Sequence, residues 1–391
     1  VTGSLSTGSL STAALPPGLF WDADRGRLKV RDPRLAEIAL RDPHIITGVD
    51  HGKSAGAGTP PPLGQAPTIT EFFELWYTVG PRYQQFNTEL RKVFTVRAVA
   101  PFEPAMRAQA TRAAAALPPA GDLARDYLSP YLMHSTFLLL GVPEPEWPRL
   151  TKVARLVIHL FKQQLLGVTG HGPREAAAFA TAMHYLEQLT GRLLTGPGEE
   201  PFLLAARRLA GLDPGPWPIA ALIGQLLMAG IEPMIVGSSI ACRDIWSTPR
   251  LRTALLTGTV AAADLAEEVL RQHPPFGNIF RFVVQPCTCL GVPLPAGTIV
   301  AIDVAAVNLH TTPAADPAHG CPVRTGEVLT FGKGTHYCLG SHSARLQVAT
   351  GLDRLVHEQP GLRIDGEGTR IDTHNNLKEV RAVPYRIGPG A

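Results

Sequence analysis

The sequence predicts a mainly α-helical single domain that carries small β-sheets. Three observations point there. Long segments over 122–146, 147–194 and 217–246 are rich in apolar residues and bounded by Gly and Pro, the punctuation of helices. Shorter runs near 28–34 and 282–302 alternate and turn as strands do. With 391 residues, 45% of them hydrophobic, the chain can bury one large core.

Residues 1–14 repeat Thr-Gly-Ser-Leu-Ser, with no basic start and no apolar run. Residues 1–20 are therefore expected to be a disordered leader and 21–391 the domain. The stretch 28–34 followed by 35–41 reads as a strand, a turn and a helix. Asp42-Pro43 closes it, because the residue before proline avoids the α region. Gly, Pro and Ala crowd 49–65 into a loop, and Phe72, Phe73, Trp76 and Tyr77 after it line a pocket or pack a short helix. The segment 122–146 reads as a helix closed by Gly141-Val142-Pro143, and 147–194 as two or more helices divided at 167–173. Trp217 to Cys242 is apolar enough to raise the question of a membrane span. Gln225, Gly230, Glu232, Pro233 and Gly237 interrupt it, so a helix buried inside a large protein is the better reading. Glu268 and Arg271 share one helix face at i,i+3.

A net charge of +3, without a block of like charges, gives no case for nucleic acid. Five cysteines, odd in number and unpaired in spacing, fit a reduced cytoplasmic protein without a membrane anchor. Cys287-Thr288-Cys289 is read as part of a strand rather than as a metal pair, since no second pair accompanies it.

Chemistry concentrates in Phe331-Gly332-Lys333-Gly334-Thr335-His336-Tyr337-Cys338-Leu339-Gly340. A Gly-rich loop delivers one cysteine just before a helical run, where free N–H groups and the helix dipole favour a thiolate. Such a thiolate is a metal ligand or a nucleophile; the plain alternative is a buried free cysteine in a turn.

The pattern Phe-Gly-x-Gly-x-His-x-Cys-x-Gly resembles the haem-ligand loop of the cytochromes P450. The resemblance extends from about Leu28 to Ile387, through Glu268-x-x-Arg271 and the helix over 122–146. It implies the cytochrome P450 fold and haem b, with Cys338 as the axial ligand to iron. Phe331, Gly332, His336, Gly340 and Arg281 become haem contacts, and Lys333 lies near the haem edge. His319 or Arg324 would complete the Glu268–Arg271 pair. It also implies O₂ as oxidant, electrons from a ferredoxin and its reductase, and a small-molecule or modified-peptide substrate. The basic residues Arg91, Lys92 and Arg97 would face the ferredoxin.

Two departures stand out. Where the family has His-x-x-x-Arg for the haem propionates, this chain has Tyr83 and Asn87, which bond a carboxylate without charge assistance. Where the family has Ala-Gly-x-Glu/Asp-Thr, this chain has Ala229-Gly230-Ile231-Glu232-Pro233. The acid remains, the alcohol is lost, and proline lacks the N–H that would bond the carbonyl of Ala229, so the helix should open there. Proton supply must then come from Glu232 through water, from the substrate itself, or with peroxide. A cationic lid (His159, Lys162, His171, Arg174, His184) adds to a similarity with enzymes that tailor peptides. Among these are the oxidative decarboxylases of bottromycin-type biosynthesis. Hydroxylation, oxidative coupling and a non-catalytic haem protein that binds a partner are the alternatives.

Overall fold

The computed structural model describes residues 15–47, 68–69, 72, 81–165, 170–212, 217–311, 328–373 and 376–388. Residues 1–14 of the expected leader, the whole loop over 49–65, and Phe73, Trp76, Tyr77, His319 and Arg324 lie outside the described residues.

Strand β1 (Leu19–Asp22) pairs with β2 (Arg27–Val30), which leads into helix α1 (Pro33–Arg41). Asp32 starts that helix as an N-cap, accepting the N–H groups of Arg34 and Leu35 with Pro33 in the first turn. Asp42 ends it with extended backbone, as a residue before proline must. Strands β3 (Ile45–Ile46), β5 (Asn278–Val283) and β6 (Ile299–Asp303) complete a five-stranded sheet in the order β1-β2-β6-β5-β3. Only β2 and β6 run parallel in it. Leu28, Val30, Val283, Val300 and Ile302 give this sheet its own small core against α1.

Helices fill the rest: α2 (Pro81–Val93), α3 (Glu103–Ala115), α4 (Ser129–Leu139), α5 (Trp147–Leu165), α6 (Pro173–Thr195), α7 (Pro201–Leu212) and α8 (Trp217–Ser247). They continue with α9 (Pro249–Leu256), α10 (Ala262–Gln272), α11 (Val304–Thr311) and α12 (Ser341–Glu358). The helix expected over 122–146 is two pieces, a π-turn over Ala124–Leu128 running into α4, and Gly141 in the left-handed region (φ +66°) ends it.

The 31-residue α8 crosses the centre and packs on α4, α5, α6, α10 and α12. Ile219, Ile223, Leu227, Met228, Ile231 and Val236 bury its faces in the main core. It is long and apolar enough to cross a membrane by composition, but 72% of its most apolar window is buried inside the fold. Burial of most of its surface is why it reads as apolar nearly all round.

Two small sheets close the helical part, β4 (Ala120–Asp122) with β10 (Pro384–Ile387) and β7 (Leu362–Ile364), and the hairpin of β8 (Arg370–Asp372) with β9 (Glu379–Ala382).

Candidate active site

The loop before α12 is held by its own backbone. The N–H of Cys338 donates to the carbonyl of Phe331 at 2.8 Å, and Tyr337 N–H to Gly334 at 3.0 Å. Gly332 and Gly334 both sit at φ +74°, where a side chain would be strained. Gly340 is not in that region: its φ is −82°, and a Cβ there would meet only the Ser343 hydroxyl at 3.5 Å. Nothing in the chain itself calls for glycine at 340.

Cys338 is exposed on one side, yet the protein around its thiol is dense enough that desolvation raises its pKa. The Gly340 N–H and the Arg345 charge pull the other way. Arg345 is itself fixed. Its guanidinium lies 4.2 Å over the Phe331 ring and donates to Glu267 at 2.6 and 3.1 Å. Burial works against its charge, but Glu267 and Tyr337 keep it above the usual arginine range. Lys333 pairs with Glu37 of α1 at 3.1 Å, which ties the loop to the sheet region.

Arg281, on β5, is 5% exposed, and among the described residues its side chain donates to the Phe280 carbonyl at 2.9 Å. No carboxylate among the described residues pairs with it, and burial alone pulls its pKa down to about 10. A buried guanidinium without an anion is costly, so the fold prepares this position for one. His336 is half-buried, and desolvation, then Arg281, then Arg91 hold it below the usual histidine range. Three cationic or basic groups thus converge on one region, which fits the two carboxylates of a haem. Asn87 is buried on α2; the Tyr83 side chain lies outside the described residues.

Glu268 and Arg271 meet as the sequence predicts. Two bonds of 2.7 Å join them, Gln272 donates to Glu268 at 2.6 Å, and both partners are buried. Desolvation would raise the Glu268 carboxyl, but Arg271 and Gln272 outweigh it and hold the pKa below the ordinary value. Arg271 also donates to the carbonyl of Asn308 at 2.8 Å, while the third partner expected at His319 or Arg324 lies outside the described residues. Asn308 in turn donates to the Arg271 carbonyl and accepts from the N–H of Leu329, so the pair anchors the chain that enters the haem-type loop.

On α8, residues 225, 226, 229, 230 and 233 are partly exposed while those between them are buried, apart from the small polar margin of the helix ends. That spacing is one helical stripe, and it faces open space: a Cβ at Gly230 would meet nothing within 4 Å. Ala229, Gly230 and Pro233 were legible in the sequence; Gln225 and Leu226, which continue the stripe, were not. Their signal was available only as the i−4 positions of Ala229 and Gly230. The helix stays continuous through Pro233, so the expected opening is limited to the hydrogen bond that proline cannot donate.

Glu232 points elsewhere. It is 5% exposed and accepts an ion pair from Lys162 of α5 at 2.5 Å. Lys162 also approaches Glu379 at 3.7 Å, and Glu379 pairs with Arg381 at 2.8 Å. The central helix, α5 and the β8–β9 hairpin are thereby joined through charge. This corrects the picture of a cationic lid. Lys162 is committed to Glu232, His159 and His171 approach Glu175 at 3.9 and 3.7 Å, and His184 approaches Glu187 at 3.3 Å.

No family model matches the chain. It is 28% identical over 260 residues to the cytochrome P450 monooxygenase PikC of Streptomyces venezuelae, an overlap of 63% of this chain and 59% of PikC. It is 28% identical over 318 residues to the vitamin D(3) 25-hydroxylase of Pseudonocardia autotrophica, covering 78% of this chain and 76% of that one. Among solved structures, P450BioI bound to an acyl-carrier protein superposes with a TM-score of 0.74 at 17% identity, covering 93% and 92% of the two chains. HmtN, a hydroxylase of himastatin biosynthesis, superposes with a TM-score of 0.73 at 19% identity over 97% and 96%. The mainly helical fold with small sheets is therefore the cytochrome P450 fold, and in sequence the chain is similar to bacterial cytochrome P450 monooxygenases.

Proposed function

We propose that the chain is a haem-thiolate tailoring oxidase of bacterial secondary metabolism whose acid substrate supplies the proton that a threonine supplies elsewhere. Bound haem provides oxygen activation, with electrons from an external donor of the ferredoxin and ferredoxin-reductase type. Cys338 holds the iron, and Arg281 with His336 receives the propionates. Phe331 and Gly332 shape the loop, Gly340 gives room, and Asn87 and Tyr83 stand at the positions of the missing charged contacts.

The observation that carries the proposal is the pair Glu232–Pro233. Pro233 lies on the open stripe and has neither hydroxyl nor N–H to give. Its neighbour Glu232 is buried and held by Lys162 at 2.5 Å. A carboxylate held by an ammonium is an acceptor, not a proton donor. With both residues unable to donate directly, a substrate carboxyl placed against the stripe is the remaining acid.

A carboxylate held there is also poised to leave as CO₂. The finer reading is oxidative decarboxylation of a peptide thiazoline to a thiazole, with loss of CO₂, two electrons and two protons. Comparing an acid substrate with its methyl ester tests the proton supply. The acid should turn over and the ester should bind, by its spectral shift, without product. An ester that reacts as fast as the acid overturns the reading. Deletion of the gene with metabolite profiling tests the tailoring role, which fails if no oxidised product disappears.

A further inference from the structure

Away from the haem-type site, the turn after β5 brings together two thiols and a carboxylate that belong to distant parts of the chain. Cys287 Sγ and Cys289 Sγ lie 3.7 Å apart, and with a carboxylate oxygen of Asp42 the ligand atoms all fall within 4.8 Å of one another. The strand reading of Cys287-Thr288-Cys289 gives way to a turn with one bridge to Leu294. Cys287 and Leu294 exchange backbone hydrogen bonds of 3.1 and 2.8 Å, and Gly291, at φ +78°, closes the turn. Both sulfurs are therefore aimed by backbone. Asp42 is aimed as well: its Oδ1 accepts the His44 N–H at 2.8 Å and meets His44 Nδ1 at 3.1 Å. The Val284 N–H donates to the His44 carbonyl at 2.8 Å and locks the two segments side by side.

We propose that Cys287, Cys289 and Asp42 form a metal site suited to zinc, with His44 orienting the carboxylate and water completing the coordination. Two sulfurs bound at about 2.3 Å to one tetrahedral zinc stand about 3.8 Å apart, which the observed separation matches. Two thiolates with a carboxylate suit a borderline-soft divalent ion better than magnesium or calcium, which take oxygen ligands. All three residues are half-buried, so the site is open enough to load and sheltered enough to hold. The metal would staple the end of α1 to the turn between β5 and β6.

The test uses the haem-loaded protein purified under reducing conditions, with zinc itself as the probe. Metal analysis should find one zinc per chain, absent from the Cys287→Ser/Cys289→Ser variant, whose reduced carbonyl spectrum reports that the haem site is intact. Alkylation mapped by mass spectrometry should show Cys287 and Cys289 protected by zinc and exposed by chelator. His44→Ala should weaken zinc binding by about tenfold, the usual range for an orienting partner. Zinc content equal in wild type and double variant overturns the proposal. So does alkylation that zinc does not slow, or recovery of the pair as a disulfide under those reducing conditions.

Discussion

The two sides of the proposed haem site are built on opposite plans. On the Cys338 side, the chain satisfies its own groups. The loop bonds to itself, Arg345 is held by Glu267, and Glu268–Arg271 is closed by Gln272 and Asn308. On the α8 side, the stripe from Gln225 to Pro233 is left open, and its one nearby acid is turned to Lys162. The first side therefore holds its thiol in a fixed loop, while the second offers space and, at Pro233, neither hydroxyl nor N–H. Specific chemistry on the open side is left to whatever enters it.

The contrast can be broken at the ligand first. Cys338→Ser should abolish the thiolate-type band of the reduced carbonyl form and all oxidation with it. A persisting band would remove Cys338 from its role.

Next in size is the pair beneath the loop. Arg271→Ala leaves Glu268 buried and uncompensated, at a cost of about 3–5 kcal/mol. A melting temperature within a degree or two of wild type would show the pair to be unimportant. The same pair sets an acid limit. Because the folded pKa of Glu268 lies below its ordinary value, its contribution is present above the unfolded pKa. It is lost as pH falls through the lower folded value. Melting temperature followed from pH 7 downward should therefore fall below the ordinary carboxylate range, and the fall should be smaller for Glu268→Gln.

On the open side, Lys162→Ala should destabilise by about 3 kcal/mol, since it too strands a buried acid. Lys162→Met combined with Glu232→Gln should recover most of that loss. If the single and double variants melt alike, Glu232 is not held by Lys162. The smallest effect is expected from Pro233→Thr. A restored hydroxyl should leave turnover of an acid substrate unchanged within about twofold and raise that of its ester. A large gain on the acid would place the missing proton in the protein.

Much of the closed side was readable in the residues. Gly332, Gly334 and Cys338 follow from backbone constraints a few residues long, and Glu268–Arg271 from one turn of helix. The same local logic placed a helix over 35–41 ended by Asp42-Pro43, and the structure starts it two residues earlier at Pro33. The open side was readable only in part. Pro233 announced a missing donor, but the partner of Glu232 sits on another helix, and no local rule pairs residue 162 with residue 232.

The sequence by itself determined the main helical segments and the Gly-rich loop, because these depend on neighbours within a turn or two. It also determined that position 233 is a proline, with neither hydroxyl nor N–H. Tertiary structure alone decided three matters. Lys162 takes Glu232 out of the open stripe, Arg281 is buried with no carboxylate partner among the described residues, and Asp42 comes to Cys287 and Cys289. Each depends on which side chain the fold carries to a charge or a thiol from a distant segment. Burial then sets how strongly that meeting acts, and neither quantity is written in local spacing.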